Sequence, residues 1–118
     1  MKVLRTIGDK GEDIAIKFLK KQGYLILEKN YRTILGEVDI IAKDNETIVF
    51  VEVKTRTNRT FGYPFEAINN QKIQKLKKVA LSYLKRHNLN LPIRFDILSI
   101  FLKDKIKEIH HIKDAFEV

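Results

Sequence analysis

The stretch from residue 37 to residue 55 leaves this chain little freedom in how it folds. Its two halves, 37–43 and 47–55, are rich in β-branched residues, and Lys43-Asp44-Asn45-Glu46 between them has turn chemistry. So short a connection predicts an antiparallel hairpin. Side chains alternate along a strand, so Val49, Val51 and Val53 share one face while Phe50, Glu52 and Lys54 share the other. In the first strand Val38, Ile40 and Ala42 are apolar, and Glu37, Asp39 and Ile41 point the opposite way. Matching the apolar faces brings Glu37 and Asp39 to the side of Glu52 and Lys54. With Asn45 and Glu46 at the centre of the turn, Asp39 pairs with Glu52 and Val38 with Val53. A register shifted by two residues keeps the same faces.

Directly opposed residues have Cβ atoms about 5 Å apart, and like charges there repel. Two facing carboxylates therefore need compensation. Lys54 offers some, about 7 Å along the same face of its strand. A divalent cation offers more, because Mg²⁺ binds carboxylate and phosphate oxygens at about 2.0–2.1 Å.

The rest of the chain supplies the setting. Residues 9–22 have a helical pattern, with Ile14, Ala15, Phe18 and Leu19 on one face, Asp9 as N-cap and Gly23 as the stop. Glu12 lies on the flank of that face and leans toward the sheet, and Gly8 and Gly11 permit close backbone approach. Residues 24–33 read as a strand. Residues 69–87 read as a second helix with Ile73, Leu76, Ala80, Leu84 and Tyr83 as its buried stripe. Strands follow at 93–102 and 106–112. The order is αβββαββ, an α/β fold with a mixed sheet flanked by helices.

With 118 residues the chain is expected to be a single domain, 1–118. It has no cysteine, which excludes disulfides, a thiol nucleophile and a thiolate zinc site. No secretory signal and no transmembrane run is evident, so a cytoplasmic location follows by default. The net charge is +8, and its placement matters more than its size. Residues 53–94 hold ten Lys or Arg and one acid, Glu66. A polyanion is the natural partner of such a block, since clustered cations release counterions from phosphates. Arg56 and Arg59 stand in a polar loop with Phe61 and Tyr63, which either stack on bases or wedge at a branch point, or else anchor the loop. Lys72, Lys75 and Lys78 line the second helix without acids to pair them, as a phosphate track would. No side-chain set reads bases, so recognition of backbone and shape is expected.

Three stretches carry a resemblance: Gly11-Glu12, Gly36-Glu37-Val38-Asp39-Ile40-Ile41 and Phe50-Val51-Glu52-Val53-Lys54-Thr55-Arg56. With the basic second helix and Arg94-Phe95-Asp96, they resemble the YraN-like uncharacterised protein family (uncharacterised protein family 0102). That family belongs to the restriction-endonuclease-like PD-(D/E)xK superfamily. The chain is similar, more distantly, to archaeal Holliday-junction resolvases. The resemblance covers nearly the whole chain and implies an αβββαβ core. It implies that Asp39 and Glu52 hold Mg²⁺ or Mn²⁺, helped by the Val53 backbone carbonyl. It implies that Lys54 activates or orients water and that Glu12 completes the acidic cluster. The reaction implied is metal-assisted hydrolysis of DNA phosphodiesters, branched DNA in repair or recombination included. A symmetric junction would suit a homodimer.

This sequence departs from the superfamily pattern at Val38, where a proline often precedes the first acid. Gln71 matches a Gln found in some relatives, but Lys75 stands where they carry Tyr. Two rival readings are a non-catalytic nucleic-acid-binding module and an interaction or regulatory protein with a relic site. Glu37 is read either as a metal contact or as an ion pair with Lys54 or a surface lysine. Asp96 is read as a structural acid near a sheet end, either ion-paired or capping. His110 and His111 point to opposite faces and receive no role.

Overall fold

The computed structural model describes residues 6–58 and 69–117. The elements are α1 (Ile7–Lys21), β1 (Leu25–Thr33), β2 (Gly36–Asp44), β3 (Thr47–Arg56), α2 (Asn70–Arg86), β4 (Ile93–Lys103) and β5 (Ile106–Ile112). The strands form one sheet in the order β1-β2-β3-β4-β5. All neighbours are antiparallel except β3 and β4, which run parallel because α2 carries the chain across between them. The architecture is the expected α/β mixed sheet flanked by two helices, compatible with a restriction-endonuclease-like core.

Helix α1 starts two residues earlier than the sequence reading placed it. Thr6, not Asp9, is the N-cap. The Thr6 hydroxyl accepts the Asp9 N–H while the Asp9 carboxylate accepts the Thr6 N–H, so Asp9 is the reciprocal partner in a capping box. The helix ends as a Schellman turn. The Gly23 N–H donates to the Lys20 carbonyl and the Tyr24 N–H to the Leu19 carbonyl, with Gly23 at φ +92°. Helix α2 ends the same way, with Asn88 at φ +52° in the glycine's place.

The sheet is buried on both faces. Ala15, Ile16 and Leu19 of α1 pack on Ile40, Ala42, Val49, Val51, Leu98 and Ile100. Leu76, Val79, Ala80 and Tyr83 of α2 pack on Val38, Ile41, Ile48, Phe50 and Phe95. The odd and even positions of β3 thus separate as expected. The stripe of α2 is rotated from the expected one. Val79 is fully buried, while Ile73 and Leu84 are only half-buried at its margins. Val38 is a second correction. It joins the α2 side, not the side of Ile40 and Ala42. The break in alternation falls opposite Asn30 of β1, which adopts the left-handed φ of 49° between the Lys29↔Ile40 and Tyr31↔Val38 pairs.

A buried polar network ties β4 to its surroundings. Asp96 receives a bidentate pair of bonds from Arg94 at 2.9 and 3.0 Å, the Asp114 N–H at 3.0 Å and His111 Nε2 at 2.7 Å. Arg94 also reaches Asp44 and the Tyr24 hydroxyl. Asp96 is therefore structural, as its sequence context suggested. His111, given no role by the sequence, is its partner and lies edge-on to Phe18 and Tyr24.

Candidate active site

The expected hairpin register holds as far as Ile40 and Val51. Asn45 and Glu46 form the turn, and pairing runs from Asp44↔Thr47 to Ile40↔Val51. There it stops. Beyond it β2 stays with β1 through Thr33↔Gly36, and β3 stays with β4 through Arg56↔Phe101. The two strands part like a fork, and Asp39 and Glu52 are the first residues past its base. Neither the expected Asp39–Glu52 pair nor the expected Val38–Val53 pair forms, because the ladder ends at Ile40↔Val51. Instead Asp39 Oδ2 accepts the Val53 N–H at 2.8 Å, so a side chain supplies the acceptor that a neighbouring strand would have supplied.

Glu52 is buried, at 6% exposure, and its compensation comes from two lysines. Lys72 Nζ of α2 lies 2.5 Å from Oε1, and Lys54 Nζ lies 3.3 Å from the same oxygen. Lys54 was expected here. Lys72 was assigned to the phosphate track, and the structure brings it to the acid. Asp39 makes its bond through Oδ2, and both lysines meet Glu52 at the same oxygen, Oε1.

Glu12 arrives from α1. Gly11 makes that possible, because a Cβ there would sit 1.8 Å from the Thr55 hydroxyl oxygen of β3. Gly8, also expected to permit close approach, meets nothing nearer than 3.7 Å. Asn30 steadies Glu12. With its amide nitrogen facing the carboxylate, it donates to both oxygens at 3.1 Å. Sequence reasoning passed over Asn30. The available signal was an amide residue inside a strand pattern, where asparagine is unfavourable unless its backbone or side chain has a special use.

The electrostatics follow from this crowding. Burial, then Glu52, then Glu12 push the Asp39 carboxyl up to about 7, and the Val53 N–H and Lys72 offset only part of it. Burial, more than any neighbour, draws the Lys54 ammonium below its ordinary value. Burial also opposes charge on Lys72, but the hydrogen bond to Glu52 and the negative charge of Glu52 and Asp39 outweigh it and raise that group. Asp39 is thus the acid of the fork whose charge its surroundings leave unrelieved, and Lys54 sits partly desolvated beside Glu52.

The oxygen donors suit a hard divalent cation. Their present disposition is not a finished cage. Among the described residues no three His, Asp or Glu side chains are grouped to hold a metal. Glu37 does not belong to the cluster. It is exposed and pairs with Arg32 at 3.3 Å, not with a lysine. Gln71 and Lys75 line a recess of about 350 Å³ with Gly36, Glu37, Asn69, Lys72 and Leu76. Lys78 is exposed farther along α2. Arg56 ends β3 with its Nε buried and without a partner among the described residues. Arg59, Phe61 and Tyr63 lie outside the described residues. No helix among the described residues is long and apolar enough to cross a membrane.

Comparison with known proteins places this arrangement in a lineage. A UPF0102 protein of Caldicellulosiruptor saccharolyticus is 50% identical over 115 residues, covering 95% of this chain and 98% of its own. One of Clostridioides difficile is 49% identical over 110 residues, covering 92% and 95%. One of Thermodesulfovibrio yellowstonii is 48% identical over 110 residues. Among solved structures, Pyrococcus furiosus SfsA in complex with Ca²⁺ aligns with a TM-score of 0.38 at 16% identity, over 95% of this chain and 64% of that one. The model of the uncharacterised protein family UPF0102 matches residues 11–100, from the glycine that seats α1 on β3 into the second half of β4, and the chain belongs to that family.

Proposed function

We propose that this chain is a metal-dependent endonuclease that hydrolyses DNA phosphodiester bonds, branched DNA in repair or recombination included. The observation that carries the reading is the fork. Its separated strands bring out Asp39, bonded through Oδ2, and the buried Glu52, bonded through Oε1, beside the half-buried Lys54. Facing carboxylates repel a phosphate unless a cation lies between them, so a pure phosphate-binding surface gains nothing from them.

Asp39 and Glu52 would hold Mg²⁺ or Mn²⁺, with the Val53 carbonyl as a further oxygen. A divalent ion there supplies a lowered water pKa and charge neutralisation at the phosphate. Lys54, whose ammonium is already partly desolvated, orients the attacking water and faces the charge that develops on the phosphate oxygens. Glu12, fixed by Asn30, completes the acidic wall. Gln71, Lys75 and Lys78, with Lys72, Arg56 and Arg59, take the nucleic-acid backbone. A DNA substrate sets the work in the cytoplasm, and a two-fold dimer would match a symmetric junction.

One observation favours a second reading, a nucleic-acid-binding module. Glu52 is already neutralised by two ammonium groups without any metal. The test is to incubate the protein with labelled duplex, single-stranded, flap and four-way-junction DNA, in Mg²⁺, Mn²⁺ or EDTA, beside Glu52→Ala. Cleavage that needs metal and disappears in the variant supports the nuclease. Salt-sensitive retardation of DNA without cleavage of any substrate supports the module.

A further inference from the structure

Lys72 has the wrong charge for its place in the chain. It is the third residue of α2, where its own N–H is capped by the Asn69 side chain. The first turn of that helix contains no acid. The positive end of the helix dipole and the unpaired N–H groups there favour anions and disfavour cations. A lysine in this position breaks a local rule, and such breaks concentrate at functional sites. What holds the ammonium is Glu52.

The two lysines on Glu52 Oε1 are not equivalent. Lys54 is the more enclosed, with 23% of its side chain exposed, and it stands on the same strand as the acid. Lys72 is 38% exposed and comes from a different element. It also lines the recess shared with Gln71 and Lys75, so it has both a route to solvent and a second place to go. A carboxylate oxygen shared by two ammonium groups is the electrostatic equivalent of one facing a divalent ion. Bringing a real divalent ion to the same carboxylate adds two positive charges beside Lys72 and reverses the balance that holds it.

We infer that Lys72 is a displaceable stand-in for the metal: it occupies Glu52 in the free protein and moves to a backbone phosphate when a divalent cation and nucleic acid bind. This rests on the metal-dependent reading above and adds to it a coupling between the two ligands. Without metal, Lys72 is engaged and unavailable to DNA. With metal it joins Lys75 and Gln71 beside the recess, so each ligand strengthens the binding of the other. The device also keeps the free acids compensated, at the cost of some metal affinity.

The test uses the full chain and Mn²⁺, with binding measured by titration calorimetry in the absence of DNA. Lys72→Gln removes the competing charge, and glutamine is a good helix former. Lys72→Arg keeps the charge and controls for packing, while circular dichroism reports that each variant is folded. The expected result is about tenfold tighter Mn²⁺ binding in Lys72→Gln than in wild type, and no comparable gain in Lys72→Arg. In Ca²⁺, the salt dependence of DNA binding is expected to be shallower in Lys72→Gln by about one phosphate contact, while in EDTA it is unchanged. Equal or weaker Mn²⁺ binding in Lys72→Gln would overturn the inference and leave the metal site standing. Failure of wild type and both variants to bind Mn²⁺ would overturn the metal reading and the inference with it.

Discussion

Asp39 accepts the Val53 N–H across the point where β2 and β3 separate. This one bond lets the strands part without leaving a buried donor unsatisfied, and it fixes the carboxylate that the site requires. The arrangement has an energetic cost, because the same acid is buried beside Glu52 and Glu12.

That cost predicts a stability gain in Asp39→Asn. The folded-state pKa is raised from 3.8 to about 7, so the folded protein holds the proton more tightly than the unfolded chain does. The penalty is absent below the unfolded value, grows as the pH rises, and is complete above the folded one. Asparagine keeps a carbonyl oxygen for the Val53 N–H and carries no charge. Thermal melts without metal are expected to show Asp39→Asn more stable than wild type at pH 8, on the order of 1–2 kcal/mol, and no more stable at pH 4. An identical difference at both pH values would show that ionisation of Asp39 is not the source. Cleavage and metal binding are expected to be lost in the same variant.

Much of this was legible in the sequence, and the gaps have physical causes. The β3 alternation and the Asn45-Glu46 turn are local and readable from spacing alone, and so is the apolar face of α1 except that Ile16 is buried where Ile14 and Phe18 are only half-buried. The fork was not. A periodic pattern assumes that a strand keeps its neighbour, whereas β2 exchanges pairing with β3 for the β1 neighbour alone after Ile40. Val38 consequently falls on the side opposite to the one its spacing gave. Lys72 was readable as a cation on a basic helix, but its acid lies twenty residues away in the chain. His111 was weighed against His110 beside it, while its real partner, Asp96, is set by the β4–β5 register.

Gly11→Ala tests the contact that brings Glu12 to the fork. In an isolated helix this change would be favourable by about 1 kcal/mol. Here the new methyl would overlap Thr55 Oγ1 and approach its Cβ to 2.9 Å, so α1 must move off β3. A net loss of about 1–3 kcal/mol is expected from the overpacking. Thr55→Gly removes all three atoms in the way, so the double variant should recover more than the sum of the single changes predicts. A double-mutant cycle by denaturant unfolding measures this, and strict additivity would mean that the two residues do not meet.

Asp96→Asn addresses the network on β4. Burial alone would raise the Asp96 pKa, but bonds from His111, Arg94 and the Asp114 N–H hold it below the ordinary carboxylate range. Its contribution is therefore present above the unfolded value of 3.8 and is lost as the pH falls through the lower folded one. Removing the charge leaves Arg94 largely enclosed and short of its main partner. A loss of about 3–5 kcal/mol at neutral pH is expected in urea unfolding. Mn²⁺ binding by the folded fraction should be unchanged, because none of these groups touches Asp39 or Glu52. A weakened metal site in folded Asp96→Asn protein would tie the network to the chemistry after all.

Lys54→Met separates the two lysines that share Glu52 Oε1. Lys54 stands on the same strand as the acid and is the more enclosed, so its ammonium cannot leave for the recess as Lys72 can. Methionine retains most of its volume, and burial already disfavours the charge it replaces. Stability should change by less than about 1 kcal/mol, since Lys72 still neutralises Glu52. Cleavage should fall by about 10²–10³, the usual loss when a preorganised donor to developing charge is removed. The informative comparison is with Lys72→Gln under single-turnover conditions at saturating DNA and Mn²⁺. Lys54→Met is expected to lose the chemical step and Lys72→Gln to lose mainly DNA affinity. Equal losses in the chemical step would make the two ammonium groups a single functional unit.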